Sequence, residues 1–70
     1  MKKIKSIVFT LEGGHYFEVG KVPFGSEISI TEIKYYCDDS EYYGYEIHNS
    51  NGLLVDLVCP RNIAVTYFQN

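Results

Sequence analysis

Residues 43–59 read YGYEIHNSNGLLVDLVC, and the way this stretch pairs with itself decides the fold. Two β-rich runs, YGYEIHN and LLVDLVC, flank a turn-forming Ser50-Asn51-Gly52 triplet. A loop made of Asn51-Gly52 alone would set Ile47 opposite Asp56 and place apolar side chains against charge along the whole ladder. A longer loop, Ser50-Asn51-Gly52 with its glycine left-handed, pairs Ile47 with Val55, Tyr45 with Leu57 and Tyr43 with Cys59. The second register makes one face continuously apolar. Because a slip of a single residue sends every side chain to the other face, it is the expected one.

On the opposite face, that register sets Glu46 across from Asp56 and His48 across from Leu54. Like charges directly opposite one another cost some tenths of a kcal/mol. Leu54 and Val58 share this face, so LLVDLVC is apolar on both sides, as a strand buried on both faces would be. A chain of 70 residues has little left to cover a second face. Closure into a curled barrel, or a second chain, must supply the cover. Leu54 and Val58 are therefore the expected self-association residues of a homodimer.

Outward from the hairpin, the local signals are nearly all β. Ile4, Ile7, Val8, Phe9 and Thr10 favour a first strand. EGGH (12–15) reads as a turn and HYFEV (15–19) as a short second strand. GKVPFG (20–25) reads as loop, since Pro23 cannot donate to a ladder. EISITEIKYYC (27–37) reads as a third strand whose apolar phase changes between Ile30 and Ile33, which predicts a bulge near Thr31-Glu32. A helical turn or short helix near 26–36 is the alternative there. PRN (60–62) turns and IAVTYF (63–68) closes the chain. The expected fold is all-β: five to six short antiparallel strands in a meander, forming a curled sheet or small open barrel, in a single domain spanning 1–70.

At this size a chain buries about 60% of the surface its unfolded form exposes, and one core supplies roughly 3–5 kcal/mol. The composition is otherwise that of a globular protein, 46% hydrophobic and 16% aromatic, with a formal charge of −3. That charge counts against a broad basic face gripping phosphates, so nucleic acid is not an expected partner. Lys2, Lys3 and Lys5 crowd the amino end, whereas residues 37–60 hold Asp38, Asp39, Glu41, Glu46 and Asp56 with no Lys or Arg. The opening MKKIKSIVFTLEGG places lysines before an apolar run, but IVFTL is too short for a secretion signal and no small-residue cleavage pattern follows. No run reaches membrane-spanning length. The expected location is cytoplasmic, with Cys37 and Cys59 as free thiols buried like small apolar side chains. A disulfide between neighbouring strands is the alternative.

Five tyrosines, Tyr35, Tyr36, Tyr42, Tyr43 and Tyr45, fall within eleven positions and are threaded by acids. Strand parity sends Tyr35, Tyr43 and Tyr45 inward and Tyr36 and Tyr42 outward. Tyrosine offers large contact area at low entropic cost, and flanking carboxylates steer a basic partner onto it. Tyr36, Asp38, Asp39, Glu41, Tyr42, Glu46 and Asp56 are thus the expected partner-binding residues for a protein with a basic surface. In the plainer alternative the tyrosines only fill the core and the acids only solvate a turn.

Glu46, His48 and Asp56 share a sheet face but lack a fourth ligand, and Cys37, Cys59, His15 and His48 lack the close spacings of a zinc site. No metal or cofactor is expected. Gly13-Gly14 lacks the phosphate-loop pattern, and no oxyanion hole or orienting group accompanies a Cys–His pair. No catalytic residue is assigned and no enzyme is expected. Small acidic β proteins without motifs are of the type found among accessory proteins of mobile elements, including viral anti-defence and anti-CRISPR proteins. The expected function is an inhibitor or accessory module that binds a protein partner, its acids standing in for nucleic-acid phosphates. Two alternatives stand beside it. One is a small-ligand or single-stranded nucleic-acid binder on an SH3-like or OB-like barrel, stacking bases on tyrosines above an amino-terminal lysine track. The other is a self-assembling structural subunit.

Overall fold

A computed structural model describes residues 2–9, 16–38 and 41–69. Six strands follow in order: β1 (Ile4–Phe9), β2 (Tyr16–Glu18), β3 (Ile30–Cys37), β4 (Tyr43–Asn49), β5 (Gly52–Val58) and β6 (Ile63–Tyr67). They form two three-stranded antiparallel sheets, ordered β2-β1-β6 and β3-β4-β5. The sheets are not closed into a barrel. Only β3-β4-β5 is a meander. β6 returns to pair with β1 rather than with β5, and a parallel bridge between Val19 and Ile30 joins the sheets at one corner. No helix occurs among the described residues, and the alternative near 26–36 is overturned: a turn occupies 24–25, a bend 27–28, and strand begins at Ile30. Isoleucines, Thr31 and paired tyrosines pack well on a pleated surface and lose rotamer freedom in a helix.

The core is built from isoleucines that a plain alternating strand would not bring together. Among the described residues, Ile4, Ile7, Ile30, Ile33 and Ile47 form the buried hydrophobic cluster. Ile30 and Ile33 stand three apart, so strict alternation would point them to opposite faces. Thr31 is bulged between the Ile30–Asn49 and Glu32–His48 pairs, which restores both to one side. The same device recurs in β1, where the register shifts between Ile4 and Ser6 and Ile4 joins Ile7 inside. The bulge expected near Thr31-Glu32 is thus present, and each sheet contributes a bulge-corrected isoleucine pair.

The β4-β5 hairpin keeps the expected register over its length: Ile47 faces Val55, Glu46 faces Asp56 and Tyr45 faces Leu57. Its tip differs. Asn49 pairs with Gly52 and His48 pairs with Leu53, not Leu54. The loop is therefore Ser50-Asn51, and the extra residue has moved into β5 as a bulge at Leu54. Asn49 Oδ1 accepts the Asn51 amide at 2.8 Å and favours that tighter turn.

The sheets cover each other incompletely. Accessible surface is 5211 Å², against about 4,450 Å² for a compact monomer of this mass. The radius of gyration is 12.0 Å, against about 11 Å from chain length. Within the single chain β5 is therefore covered on one face, and no barrel closure covers the other. Val55 and Leu57 are half-buried against the core, whereas Leu53, Leu54 and Val58 are exposed. The EGGH turn, His15 and Asp39 lie outside the described residues.

Candidate functional site

Pairing across β3, β4 and β5 gathers polar side chains on the face of the sheet turned away from the core. Lys34 pairs with Glu46, Glu46 with Asp56, and Tyr36 with Gly44, which itself faces Val58. Gly44 has no side chain, so the Tyr36 ring crosses above it and its hydroxyl donates to Asp56 Oδ1 at 3.0 Å. A Cβ on Gly44 would collide with the Tyr36 hydroxyl and come within 2.6 Å of the Leu57 carbonyl oxygen. The opposed carboxylates Glu46 and Asp56 are thereby each given a partner: Asp56 accepts from Tyr36, and Glu46 lies 3.0 Å from His48 Nε2. Burial pushes the Tyr36 phenol above the usual tyrosine range, with the hydrogen bond and negative charge of Asp56 adding to the shift.

Tyr42 stands beside Tyr36, ring centroids 6.2 Å apart, and is exposed. The Asp38 amide donates to the Tyr42 carbonyl oxygen at 2.9 Å and closes the β3-β4 connection, on which Asp38 and Glu41 are exposed. Six of the seven residues expected to bind a partner therefore form one neighbourhood, running from the β3-β4 connection across Tyr36 to Asp56. Leu54 and Val58 continue along β5 and are exposed.

The inward parity of Tyr35, Tyr43 and Tyr45 holds for direction but not for burial. Tyr35 lies 5.3 Å from Tyr45 and 6.3 Å from Tyr43, centroid to centroid. Yet Tyr35 is 54% exposed, because the facing sheet stops short of this end. The expectation of buried thiols fails for the same reason: Cys37 and Cys59 are both exposed and free. They flank Tyr43 from opposite sides of β4, about 10 Å apart across two strand spacings. That exceeds the reach of a disulfide. Tyr43 also holds the chain's corner, donating its hydroxyl to the Pro60 carbonyl oxygen at 2.8 Å while its own carbonyl accepts from Cys59. Among the described residues, no group of three His, Cys, Asp or Glu side chains is placed to hold a metal ion. Glu46, His48 and Asp56 do not converge.

Two features escaped the sequence reading. Phe24, in the β2-β3 connection, is 95% exposed. The Ser26 amide donates to the Pro23 carbonyl oxygen at 3.1 Å, and Gly25 takes φ +84° in the third position of that turn. Pro23 is buried beneath, so the turn holds Phe24 outward. An aromatic between Pro and Gly, outside any strand pattern, was the available signal. The second feature is a cleft of about 660 Å³ between the sheets, floored by Ile4, Val19 and Ile33 and walled by Tyr35, Tyr67 and Phe68. Its residues come from four separate stretches of chain, and no local pattern foretells it. No protein-family model, curated protein or solved structure matches this chain.

Proposed function

We propose that this protein is an interaction module that binds a basic surface of a partner protein through the outer face of β3-β4-β5. The observation that carries the reading is the uncovered continuity of that face. Tyr36 and Tyr42 form an aromatic pair, Asp38, Glu41, Glu46 and Asp56 surround it with negative charge, and exposed Leu54 and Val58 extend it. Rigid aromatic anchors within a charged rim are the arrangement that concentrates binding energy in protein interfaces. Tyr36 is already braced by Asp56, so little ordering entropy remains to be lost on binding. Carboxylates spaced along a sheet can occupy a groove built for phosphates, which makes inhibition of a nucleic-acid-binding partner the specific form of the proposal.

Affinity capture from a host lysate, at low and high salt, tests it. Wild-type protein should retain a discrete basic partner that salt releases and that Glu41→Lys/Glu46→Lys/Asp56→Lys fails to retain while keeping its circular dichroism. A partner held equally by the variant, or held regardless of salt, overturns the reading.

A further inference from the structure

The cleft between the sheets has one wall made of main chain. β3 is an edge strand: β4 occupies one side, and on the other, among the described residues, only Ile30 is engaged, its carbonyl accepting from Gly20 and its amide donating to Lys21. The free groups beyond it follow from the ladder. The Asp38 amide bonds the Tyr42 carbonyl oxygen, so in this antiparallel pair Asp38, Tyr36, Lys34 and Glu32 turn their amides and carbonyls toward β4. Ile33, Tyr35 and Cys37 turn theirs outward, to the open edge. Ile33 and Tyr35 line the cleft, within a continuous run from Thr31 to Tyr35. That run is about 17 Å long at the rise of an extended strand.

We propose that this edge takes an extended acidic peptide segment of a partner protein as an added strand. Main-chain groups of Ile33, Tyr35 and Cys37 would pair with the peptide, continuing the rung that Gly20 and Lys21 begin at Ile30. Alternate peptide side chains then meet the floor of Ile4, Val19 and Ile33 and the rings of Tyr35, Tyr67 and Phe68. Charge selects the acidic class. Among the described residues, the cations Lys2, Lys3 and Lys34 line the cleft, against the single acid Glu32. Lys34 lies 3.9 Å from Glu32, which leaves Lys2 and Lys3 to meet a peptide carboxylate. This site uses a different surface from the acidic outer face, so either reading stands or falls alone.

A display library of short random peptides selected on the wild-type protein supplies the probe, and amide hydrogen exchange by NMR supplies the readout. Selected peptides should be acidic with alternating apolar residues, and the synthetic peptides should protect the Ile33, Tyr35 and Cys37 amides. Lys2→Glu/Lys3→Glu should weaken them about tenfold. Tyr35→Pro removes an edge-facing donor without taking a hydrogen bond from the β3-β4 ladder, and should abolish binding while the Ile47 amide stays protected. Should that variant fail to fold, the lysine pair and the exchange pattern still decide. The proposal is overturned if no peptide is enriched, or if bound peptides leave the three amides exchanging as before. It is equally overturned if a single-stranded oligonucleotide or a mononucleotide protects them instead, or if they are already protected at high concentration by a second copy of the chain.

Discussion

The Tyr36 hydroxyl reaches over Gly44 to Asp56 Oδ1 at 3.0 Å, so a side chain of β3 is tied to β5 across the one residue of β4 that has no side chain to obstruct it. The outer face of the sheet depends on this crossing. Gly44→Ala sets a methyl group against both the Tyr36 ring and the fixed Leu57 carbonyl oxygen. Only the ring can swing away, so overpacking of about 1–3 kcal/mol should remain. Urea unfolding should show that loss, and the loss should persist in Gly44→Ala/Tyr36→Phe, because the carbonyl is main chain.

Three tyrosines make stability fall at alkaline pH. The phenols of Tyr35, Tyr36 and Tyr45 are all pushed above the ordinary range: Tyr35 first by its hydrogen bond with Cys37, Tyr36 and Tyr45 first by burial. A raised folded-state value means that the native state keeps its proton where the unfolded chain releases it. Their contribution is complete below the unfolded-chain value near ~10, and is lost as pH rises through the folded-state values. Unfolding midpoints should therefore be flat toward neutrality and decline above about pH 10. Tyr36→Phe should make the decline shallower, with phenolate absorbance reporting one late-titrating group fewer.

The fold was legible to the extent that local chemistry carried it. The Ile30/Ile33 phase change announced the Thr31 bulge, and the apolar match of Ile47 with Val55 selected the hairpin register. The hairpin tip was less legible because its choice turns on whether Asn49 Oδ1 captures the Asn51 amide, a balance of small terms. Parity located the direction of Tyr35 but not its exposure, and the exposure of Cys37 and Cys59 was likewise not legible. Exposure depends on how far one sheet overlaps the other, which is set by the β1-β6 pairing and its long chain separation. The cleft was illegible for the same reason: Lys3 and Tyr35 become neighbours only when sheets assemble.

The small core leaves little margin. Ile47 is fully buried among Ile7, Ile30 and Ile33. Ile47→Ala should cost about 2–5 kcal/mol, comparable with the roughly 3–5 kcal/mol a core of this size provides. The variant should be largely unfolded at room temperature by circular dichroism, while Ile47→Val, at about 1 kcal/mol, should remain folded with a lower melting temperature. An Ile47→Ala protein of wild-type stability would mean that stability comes from association rather than from this core.

Salt separates the two occupants available to the β5 side of the outer face. A basic partner is attracted by Glu46 and Asp56, so salt should weaken its binding. A second copy meeting face to face would set these same carboxylates against their counterparts, and salt should strengthen its binding by screening the repulsion. Leu54 and Val58 are 37% and 47% exposed, so Leu54→Asp/Val58→Asp should leave the unfolding free energy within about 0.5 kcal/mol of wild type. Light scattering behind size exclusion should then give a mass that rises with salt for the wild-type chain and stays monomeric for the variant. A wild-type mass that is monomeric at every salt concentration would remove self-association and leave the whole face to the foreign partner.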